Sequence, residues 1–368
     1  MSLDHYYLLG RSGLRVSRLA LGTMNFGMAG FHAAYGKTLD EARPIFDAYV
    51  SAGGNLIDTA DFYTAGESER IIGQLVAESP GLRDRLVITS KFTNSVDPGD
   101  PNAGGNGRKH VIRAVEASLR RLGTDYLDLY LLHTWDRITP VDEVLRTFDD
   151  LVTAGKIRYA GLSDVPAWYA ARAQTLADAN GFSPLVSLQL PYSLVERTVE
   201  AEHVPVGLEL GLGITAWGPL GSGFLTGKYR AGADGGVEGS GRLTGSAAGA
   251  AGQARSAADW NTLAALETVA RELDVSMAQL ALNWVATQPG VAAAIVGASS
   301  AAQLASSLDA LSFSIPAQLR ARLDEASAPV LGKPYGMFTA EYQGRLVSAG
   351  AKVGDKPSGY REPVRNWV

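Results

Sequence analysis

The chain alternates short apolar runs with longer stretches of helical spacing, and this alternation restricts its possible folds more than any other feature. Eight runs rich in leucine or β-branched residues are candidate strands: Arg18–Leu21, Asn55–Asp58, Leu86–Ser90, Leu127–Leu132, Arg158–Leu162, Leu185–Gln189, Gly213–Trp217 and Ala293–Val296. Amphipathic stretches separate them, among them Asp40–Ala52, His110–Leu122, Val141–Ala154 and Ser276–Thr287. This order predicts a parallel sheet, because parallel strands need a crossover segment between them.

The number of units and the glycine pattern favour one closed barrel over a doubly wound sheet. Eight units over about 300 residues suit a (β/α)8 (TIM) barrel. A doubly wound domain carries Gly-x-Gly-x-x-Gly after its first strand, and this chain does not. The segment Gly223–Tyr229 also fails as a phosphate-binding P-loop, because its glycines are one residue too close and Tyr229 replaces the magnesium-binding Ser or Thr. We therefore expect a single α/β barrel domain over residues 1–368.

Two regions fall outside the repeat. Residues 231–258 are rich in Gly, Ala and Ser and too long for an ordinary barrel turn, which indicates a mobile functional loop or a disordered insert. The segment after Pro329 carries the aromatic residues Tyr335, Phe338, Tyr342 and Tyr360. A tail this aromatic is unlike a free disordered end, so we expect residues 330–368 to pack on the barrel near the substrate pocket.

Composition argues against several classes of protein. With a net charge of −5 and scattered Lys and Arg, the chain has no basic field for nucleic acid. It contains no cysteine, which excludes disulfides, thiolate metal sites and a catalytic thiol. The histidines other than His133 show no metal-ligand spacing, so no metal is expected. No stretch approaches the ~18 apolar residues of a membrane span, and the first residues do not resemble a signal peptide, so we expect a cytoplasmic protein.

Residues with functional side chains stand at or just past the strand candidates, where a barrel places its active groups. They are Asp58, Lys91, His133, Ser163, Asp164, Gln189 and Trp217, with Tyr63 on the loop beyond Asp58. A tyrosine is a weak acid at neutral pH, but a nearby Lys ammonium can bring its pKa into a useful range. Asp58 would keep Lys91 charged, and a neutral His133 would orient a carbonyl oxygen. This set predicts carbonyl chemistry with a separate hydride donor.

The segments that carry these residues resemble the aldo-keto reductase family over nearly the whole chain. They are Gly22–Gly27, Ile57–Tyr63, Thr89–Phe92, Leu131–His133, Gly161–Ser163, Gln189–Tyr192 and Trp217–Leu220. The most similar subgroup contains the longer bacterial reductases and the channel β-subunits. The resemblance implies NAD(P)H-dependent, reversible reduction of an aldehyde or ketone by direct hydride transfer.

The same resemblance implies roles for individual residues. Asp58, Tyr63, Lys91 and His133 would be catalytic, with Tyr63 as the general acid in reduction. Ser163, Asp164 and Gln189 would hold the nicotinamide carboxamide, and Trp217 would stack on the ring. Further cofactor contacts are implied at Gly22, Thr23, Met24, Asp58, Gly218, Pro219, Leu220, Gly221, Gly223, Leu225, Lys228, Gly297, Ser299, Gln303 and Ser307. The predicted substrate contacts are Met24, Phe26, Tyr63, Trp135 and Tyr192, of which Trp135 and Tyr192 are also open to a packing role.

Two departures from the family pattern concern the cofactor. Asp164 replaces the usual Asn, and its carboxylate still suits the carboxamide NH2. Ser299 stands where the family's Arg meets the adenosine 2′-phosphate. The channel β-subunits share this Ser and resemble NADP-binding proteins, and Arg230, Arg242 and Arg255 are alternative cations here. The resemblance therefore favours NADP(H) over NAD(H).

Two other functions remain open from the sequence. One is a cofactor-binding regulatory subunit like the channel β-subunits. The other is an NAD-dependent dehydrogenase of a sugar or secondary alcohol, which would use the same site. In each enzymatic reading the partner is a small carbonyl or alcohol molecule.

Overall fold

Eight parallel strands close into a barrel in the computed structural model, which describes residues 3–232, 236–244, 255–330 and 332–351. Two strands precede the barrel, β1 (Tyr6–Leu8) and β2 (Arg15–Ser17). The barrel strands are β3 (Leu19–Gly22), β4 (Leu56–Asp58), β5 (Val87–Phe92), β6 (Leu127–Leu132), β7 (Ile157–Ser163), β8 (Leu185–Pro191), β9 (Gly213–Trp217) and β12 (Val291–Val296). Strand β12 pairs with both β9 and β3, which closes the ring. The predicted (β/α)8 barrel is confirmed, and the observed strand ends lie within two residues of the predicted ones.

Helices surround the barrel and connect its strands. They are α1 (Leu39–Ser51), α2 (Glu67–Ala77), α3 (Leu82–Arg85), α4 (Arg108–Leu122), α5 (Val141–Thr153), α6 (Ala167–Asn180), α7 (His203–Leu210), α8 (Ala257–Glu272), α9 (Met277–Ala286), α10 (Ala301–Leu308), α11 (Ala317–Ala326) and α12 (Ala340–Leu346). Local sequence sets several of their ends: α1, α8 and α9 each begin at a capping box, in which a Ser or Thr and the residue three positions later satisfy each other's backbone amides. The four predicted helices are confirmed.

A hairpin that the sequence analysis missed closes the N-terminal end of the barrel. Strands β1 and β2 pair in antiparallel fashion, and Leu9 between them is fully buried in the cluster of side chains inside the barrel. Gly10 allows this approach, because a Cβ there would lie 2.4 Å from the carbonyl oxygen of Val186. Leu9 therefore belongs to the core, although the three residues of β1 are exposed.

The structure describes only parts of the two regions outside the repeat. Strands β10 (Arg230–Ala231) and β11 (Val237–Glu238) form a small antiparallel ribbon, while residues 233–235 and 245–254 lie outside the described residues, so the mobile loop remains a prediction. In the tail, a short 3-10 helix (Tyr335–Met337) and α12 bury none of their residues. Within 332–351, Tyr335 packs on Phe338 and its hydroxyl donates to Glu202 beside α7, while packing near the substrate pocket stays a prediction. Tyr360 lies outside the described residues.

A buried polar cluster lies between β5, α2 and α4, behind the barrel wall. The carboxylate of Glu69 accepts hydrogen bonds from Ser90 Oγ at 2.5 Å and from Arg121 Nε at 2.6 Å. Asp61 is also buried, but neither of its carboxyl oxygens has a hydrogen bond of standard geometry among the described residues. Burial, and then the nearby charge of Glu69, raise the pKa of Asp61 well above its usual value. Arg121 is already paired with Glu69, and burial favours the neutral form of the Asp61 carboxyl.

We predict that Asp61→Asn raises the free energy of unfolding at pH 7 by about 1 kcal/mol, because the amide carries no charge whose burial must be compensated. Below the pKa of the unfolded chain, Asp61 is neutral in both states. As the pH rises, the unfolded chain ionises first, and the wild type loses stability that the Asn variant retains. Urea unfolding between pH 4 and pH 7 measures the difference. The exposed Asp125→Asn is the control, and a loss of stability at pH 7 in Asp61→Asn would contradict the prediction.

Candidate active site

The predicted functional residues meet at the C-terminal end of the barrel. Asp58, Ser163 and Trp217 are the last residues of their strands, and His133 directly follows β6. Because the strands run parallel, their carboxyl ends share one rim. Residues far apart in the chain are therefore neighbours here.

The side chain of Lys91 is enclosed at the centre of this rim. It has no exposed surface. Its Nζ donates to Asp58 Oδ1 at 2.6 Å, to the carbonyl oxygen of Thr59 at 2.8 Å and to the Tyr63 hydroxyl at 3.1 Å. These three acceptors match the three N–H groups of an ammonium. The buried charge is thus both paired and fully hydrogen-bonded.

Asp58 links this group to the opposite side of the barrel. Its Oδ2 accepts a hydrogen bond from Gln189 Nε2 at 2.7 Å. Its backbone carbonyl accepts one from Thr23 Oγ1 at 2.9 Å. The side-chain NH2 group of Gln189 therefore orients Asp58, and its side-chain oxygen, Oε1, is the atom left for the carboxamide that Gln189 is predicted to hold. Thr23 is buried and likewise positions Asp58.

The electrostatics of Tyr63 differ from the sequence-based expectation. Burial raises the pKa of Tyr63, and the nearby Lys91 ammonium offsets this only in part. The expected lowering of the pKa is therefore wrong for the free protein, because desolvation outweighs the neighbouring charge. For Lys91, burial acts to lower the pKa, but Asp58 and Tyr63 outweigh it and the pKa is raised. At neutral pH the site thus holds a protonated phenol and a charged ammonium.

His133 stands beside Tyr63 with one ring nitrogen already engaged. The two rings meet edge to face with centroids 5.8 Å apart, and Phe62 packs on His133 at 5.3 Å. The side-chain amide of Asn94 donates to His133 Nδ1 at 3.2 Å. An amide nitrogen can only donate, so Nδ1 is the acceptor and the neutral ring carries its proton on Nε2. Asn94 was missed by the sequence analysis, although its place three residues past Lys91 on the same rim was a signal.

The loop that carries Tyr63 is held by a hydrogen bond from the Thr64 side chain to the backbone of the neighbouring loop. Thr64 and Ala65 adopt left-handed conformations, with φ of 47° and 56°. Thr64 Oγ1 donates to the carbonyl oxygen of Phe26 at 2.6 Å. Gly27 is required beside it, because a Cβ there would lie 2.5 Å from Thr64 Oγ1. The rim loop after β3 therefore fixes the position of Tyr63.

Beside Tyr63 lies a polar recess that suits a nicotinamide. Ser163 Oγ is buried and has no hydrogen-bond partner among the described residues. Asp164 Oδ1 accepts a hydrogen bond from Trp217 Nε1 at 3.0 Å, and 41% of the Trp217 side chain is exposed. Burial raises the pKa of Asp164 to about 6, and the bond from Trp217 opposes part of this rise. An unpartnered hydroxyl, a carboxyl and an open indole face fit a carboxamide and a flat ring.

A glycine-rich turn follows Trp217. Gly218, Gly221 and Gly223 all have positive φ, and a Cβ on Gly218 would meet no atom within 4 Å. The backbone is thus open to close approach there, as a bound pyrophosphate would need. The other cofactor contacts predicted in this part of the chain differ in exposure: Pro219 and Leu225 are buried, Leu220 is half-buried, and Lys228 is exposed.

The residues predicted to meet the adenosine surround the start of α10. Ser299 donates to Gln303 Oε1 through both its amide and its hydroxyl, each at 2.7 Å. Ser307 Oγ donates to the carbonyl oxygen of Gln303 at 3.0 Å. Ser299 and Gln303 are exposed, as is Gly297 at the end of β12, while a Cβ on Gly22 would meet the side chain of Ile295 at 2.8 Å.

The predicted substrate contacts separate into two groups. Met24 and Trp135 are half-buried at the rim. Phe26 and Tyr192 are enclosed in the core, where the Tyr192 ring packs on Trp284 at 5.7 Å and its hydroxyl donates to Glu200. For these two the structure favours packing over a pocket wall, because other side chains already cover them.

One further aromatic residue at the rim was missed. Trp168, at the start of α6, has an exposed side chain and meets Trp135 edge to face at 5.5 Å. Its place four residues past Asp164 was an available signal, since residues just past a barrel strand line the rim.

Comparison with known proteins agrees with this geometry. A sequence model of the Aldo/keto reductase family matches residues 18–328. The chain therefore belongs to the aldo-keto reductase family and is an oxidoreductase. Members of this family generally use nicotinamide cofactors. Among the described residues, no helix has both the length and the apolar character needed to cross a membrane.

Individual relatives include both enzymes and channel subunits. The "Uncharacterized oxidoreductase YrpG" of Bacillus subtilis (strain 168) is 35% identical over 87% of this chain and 95% of its own length. A "Probable voltage-gated potassium channel subunit beta" of Oryza sativa subsp. japonica is 34% identical over 89% of this chain and 97% of its own. The "Norsolorinic acid reductase" of Aspergillus flavus is 39% identical, but over 60% of this chain and 58% of its own length.

The enclosed ion pair at the rim gives a stability prediction. We expect Lys91→Met to lower the free energy of unfolding by about 3–5 kcal/mol at pH 7, because it leaves the buried Asp58 carboxylate without its cation. Adding Asp58→Asn should restore part of the loss. Urea unfolding of the two variants measures this, and a Lys91→Met protein as stable as the wild type would contradict it.

Proposed function

We propose that this protein reduces an aldehyde or ketone to an alcohol, reversibly, by direct hydride transfer from NADPH, with Tyr63 as the general acid. The observation that carries the proposal is the chain of hydrogen bonds from Asp58 through Lys91 to the Tyr63 hydroxyl. It holds a protonated phenol at the edge of the recess formed by Ser163 and Trp217. The raised pKa of Tyr63 keeps its proton available for reduction across the neutral range.

The residues of the rim divide the chemistry among them. A reduced nicotinamide, when bound, supplies the hydride to the carbonyl carbon. Tyr63 donates its proton to the carbonyl oxygen, and Lys91 stabilises the phenolate that this leaves. Asp58 keeps Lys91 charged and fixed. His133, with its proton on Nε2, is suited to donate a hydrogen bond to the same carbonyl oxygen and orient it.

The cofactor proposal rests on the recess and the glycine-rich turn. The carboxamide would be held by Ser163 Oγ, the Asp164 carboxyl and the side-chain oxygen Oε1 of Gln189, and Trp217 would stack on the nicotinamide ring. Support for NADP(H) over NAD(H) comes from cations at the turn in place of the family's Arg. Arg255 Nη2 donates to the carbonyl oxygen of Gly221 at 3.2 Å.

A second candidate function is that of a cofactor-binding regulatory subunit. The observation in its favour is the similarity to the rice channel subunit over 89% of this chain. A third candidate is an NAD-dependent dehydrogenase, in which the same site would oxidise a sugar or secondary alcohol. Rapid oxidation of NADPH with a panel of carbonyls separates the first candidate from the second, and NAD+-dependent oxidation of alcohols identifies the third. We also propose a cytoplasmic location.

We predict that Tyr63→Phe lowers kcat/KM for carbonyl reduction by about 10²–10⁴-fold, the range for loss of a general acid. Binding of NADPH, followed by quenching of tryptophan fluorescence, should be nearly unchanged. Tyr192→Phe is the matched control, because it removes a buried phenol that packs away from the recess. Unchanged turnover in Tyr63→Phe would remove Tyr63 from the role of acid.

We predict that Ser299→Arg raises the preference for NADPH over NADH roughly tenfold, because a guanidinium there would meet the 2′-phosphate. The ratio of kcat/KM for the two cofactors measures the preference. Ser306→Arg adds the same charge on α10, seven residues further along the chain, and serves as the control. An unchanged ratio in Ser299→Arg would place the 2′-phosphate elsewhere.

A further inference from the structure

Asp164 is held in a defined orientation beside Trp217. Its backbone is left-handed, with φ of 45°, a conformation that Asp and Asn adopt more readily than most residues. The backbone amide of Asp164 donates to the backbone oxygen of Gln189 at 3.2 Å. The backbone oxygen of Asp164 accepts from the backbone amide of Trp135 at 3.3 Å. The bond from Trp217 Nε1 then fixes the carboxyl. The group is therefore part of the recess and cannot swing into solvent without breaking this contact.

The charge of this carboxyl has no cation of its own. The ammonium of Lys91, which acts on Asp164 electrostatically, is hydrogen-bonded to Asp58 and Tyr63, and no Lys or Arg of the described residues forms a salt bridge with Asp164. Asp164 nevertheless acts on the reacting groups: its charge contributes to the raised pKa of Tyr63, while Lys91 slightly lowers the pKa of Asp164. Burial leaves that pKa at about 6. Asp164 is therefore ionised at pH 8 and protonated at pH 5.

An ionised carboxyl at this place distinguishes the two forms of a nicotinamide. The oxidised ring carries a positive charge that the reduced ring lacks, while the rest of the cofactor is the same. A carboxylate in a poorly hydrated recess attracts that charge, whereas an Asn or a protonated Asp does not. The effect on relative affinity is on the order of tenfold, the size of a partly screened charge pair.

We propose that Asp164 biases this site toward the oxidised, positively charged form of its nicotinamide cofactor, and that protonation of Asp164 removes the bias. The proposal rests on the function proposed above, because it needs the nicotinamide to lie beside Trp217. It makes Asp164 a residue that sets which form of the cofactor is retained, and hence how readily the site works in the direction of alcohol oxidation. The chemical equilibrium in solution is unchanged.

The test is a titration of the wild type and Asp164→Asn with oxidised and reduced cofactor at pH 5, 6, 7 and 8. Tryptophan fluorescence gives the two dissociation constants, and their ratio, reduced over oxidised, is the readout. Titration of the cofactor phosphates cancels in this ratio, because both forms carry the same phosphates. We expect the wild-type ratio to rise about tenfold between pH 5 and pH 8 and the Asn variant to keep a low, flat ratio. Asp125→Asn, an exposed site at the opposite end of the barrel, should follow the wild type.

The possible results separate this proposal from the function beneath it. A wild-type ratio that is flat with pH and equal to that of Asp164→Asn, with both forms bound, overturns the role of Asp164 and leaves the proposed function standing. Failure of the wild type to bind either form overturns both. Asn suits a left-handed backbone, so the variant should fold; if it does not, Asp164→Gly, which also accepts positive φ and removes the carboxyl, takes its place.

Discussion

The ammonium of Lys91 has no contact with solvent, and the C-terminal rim of the barrel is organised around its charge. A buried cation is costly unless an anion and further acceptors surround it. Lys91 on β5 obtains these from Asp58 on β4, from the backbone of Thr59 and from Tyr63 on the following loop. Asp58 is in turn fixed by Gln189 on β8, across the barrel. The side-chain hydrogen bond from Gln189 to Asp58 thus joins β8 and β4, two strands that are not neighbours in the barrel.

This arrangement explains how one fold supplies both rigidity and chemistry. The phenol of Tyr63 is buried enough to stay protonated, yet an ammonium lies 3.1 Å away to accommodate the charge left after proton donation. Neither burial nor the cation alone would give this balance. The carboxyl of Asp164 is a weaker influence on the same phenol, acting from the other side of the recess. The site is therefore a set of mutually dependent charges.

The sequence predicted the parts of the structure that depend on periodicity and chain order. The strands ending at Asp58 and Trp217 lie where their apolar runs indicated, and parallel strands then bring both residues to one rim. It did not predict features set by three-dimensional packing. The β1–β2 hairpin was missed because neither strand is a buried apolar run: all of β1 is exposed, and β2 begins with the exposed Arg15. The sequence did not reveal that Phe26 is buried, and the expected direction of the Tyr63 pKa was wrong, because burial depends on neighbours that composition does not show.

The hairpin plug at Leu9 also has a consequence for the opposite rim. The buried side chains around Leu9 fill the barrel interior next to the hairpin, so the described part of the barrel gives a ligand no passage from one end to the other. If the proposed cofactor and substrate stack at the C-terminal rim, both must leave through that rim, and the deeper one would leave after the outer one. Packing at the N-terminal end of the barrel would then set the order in which two ligands leave the C-terminal rim.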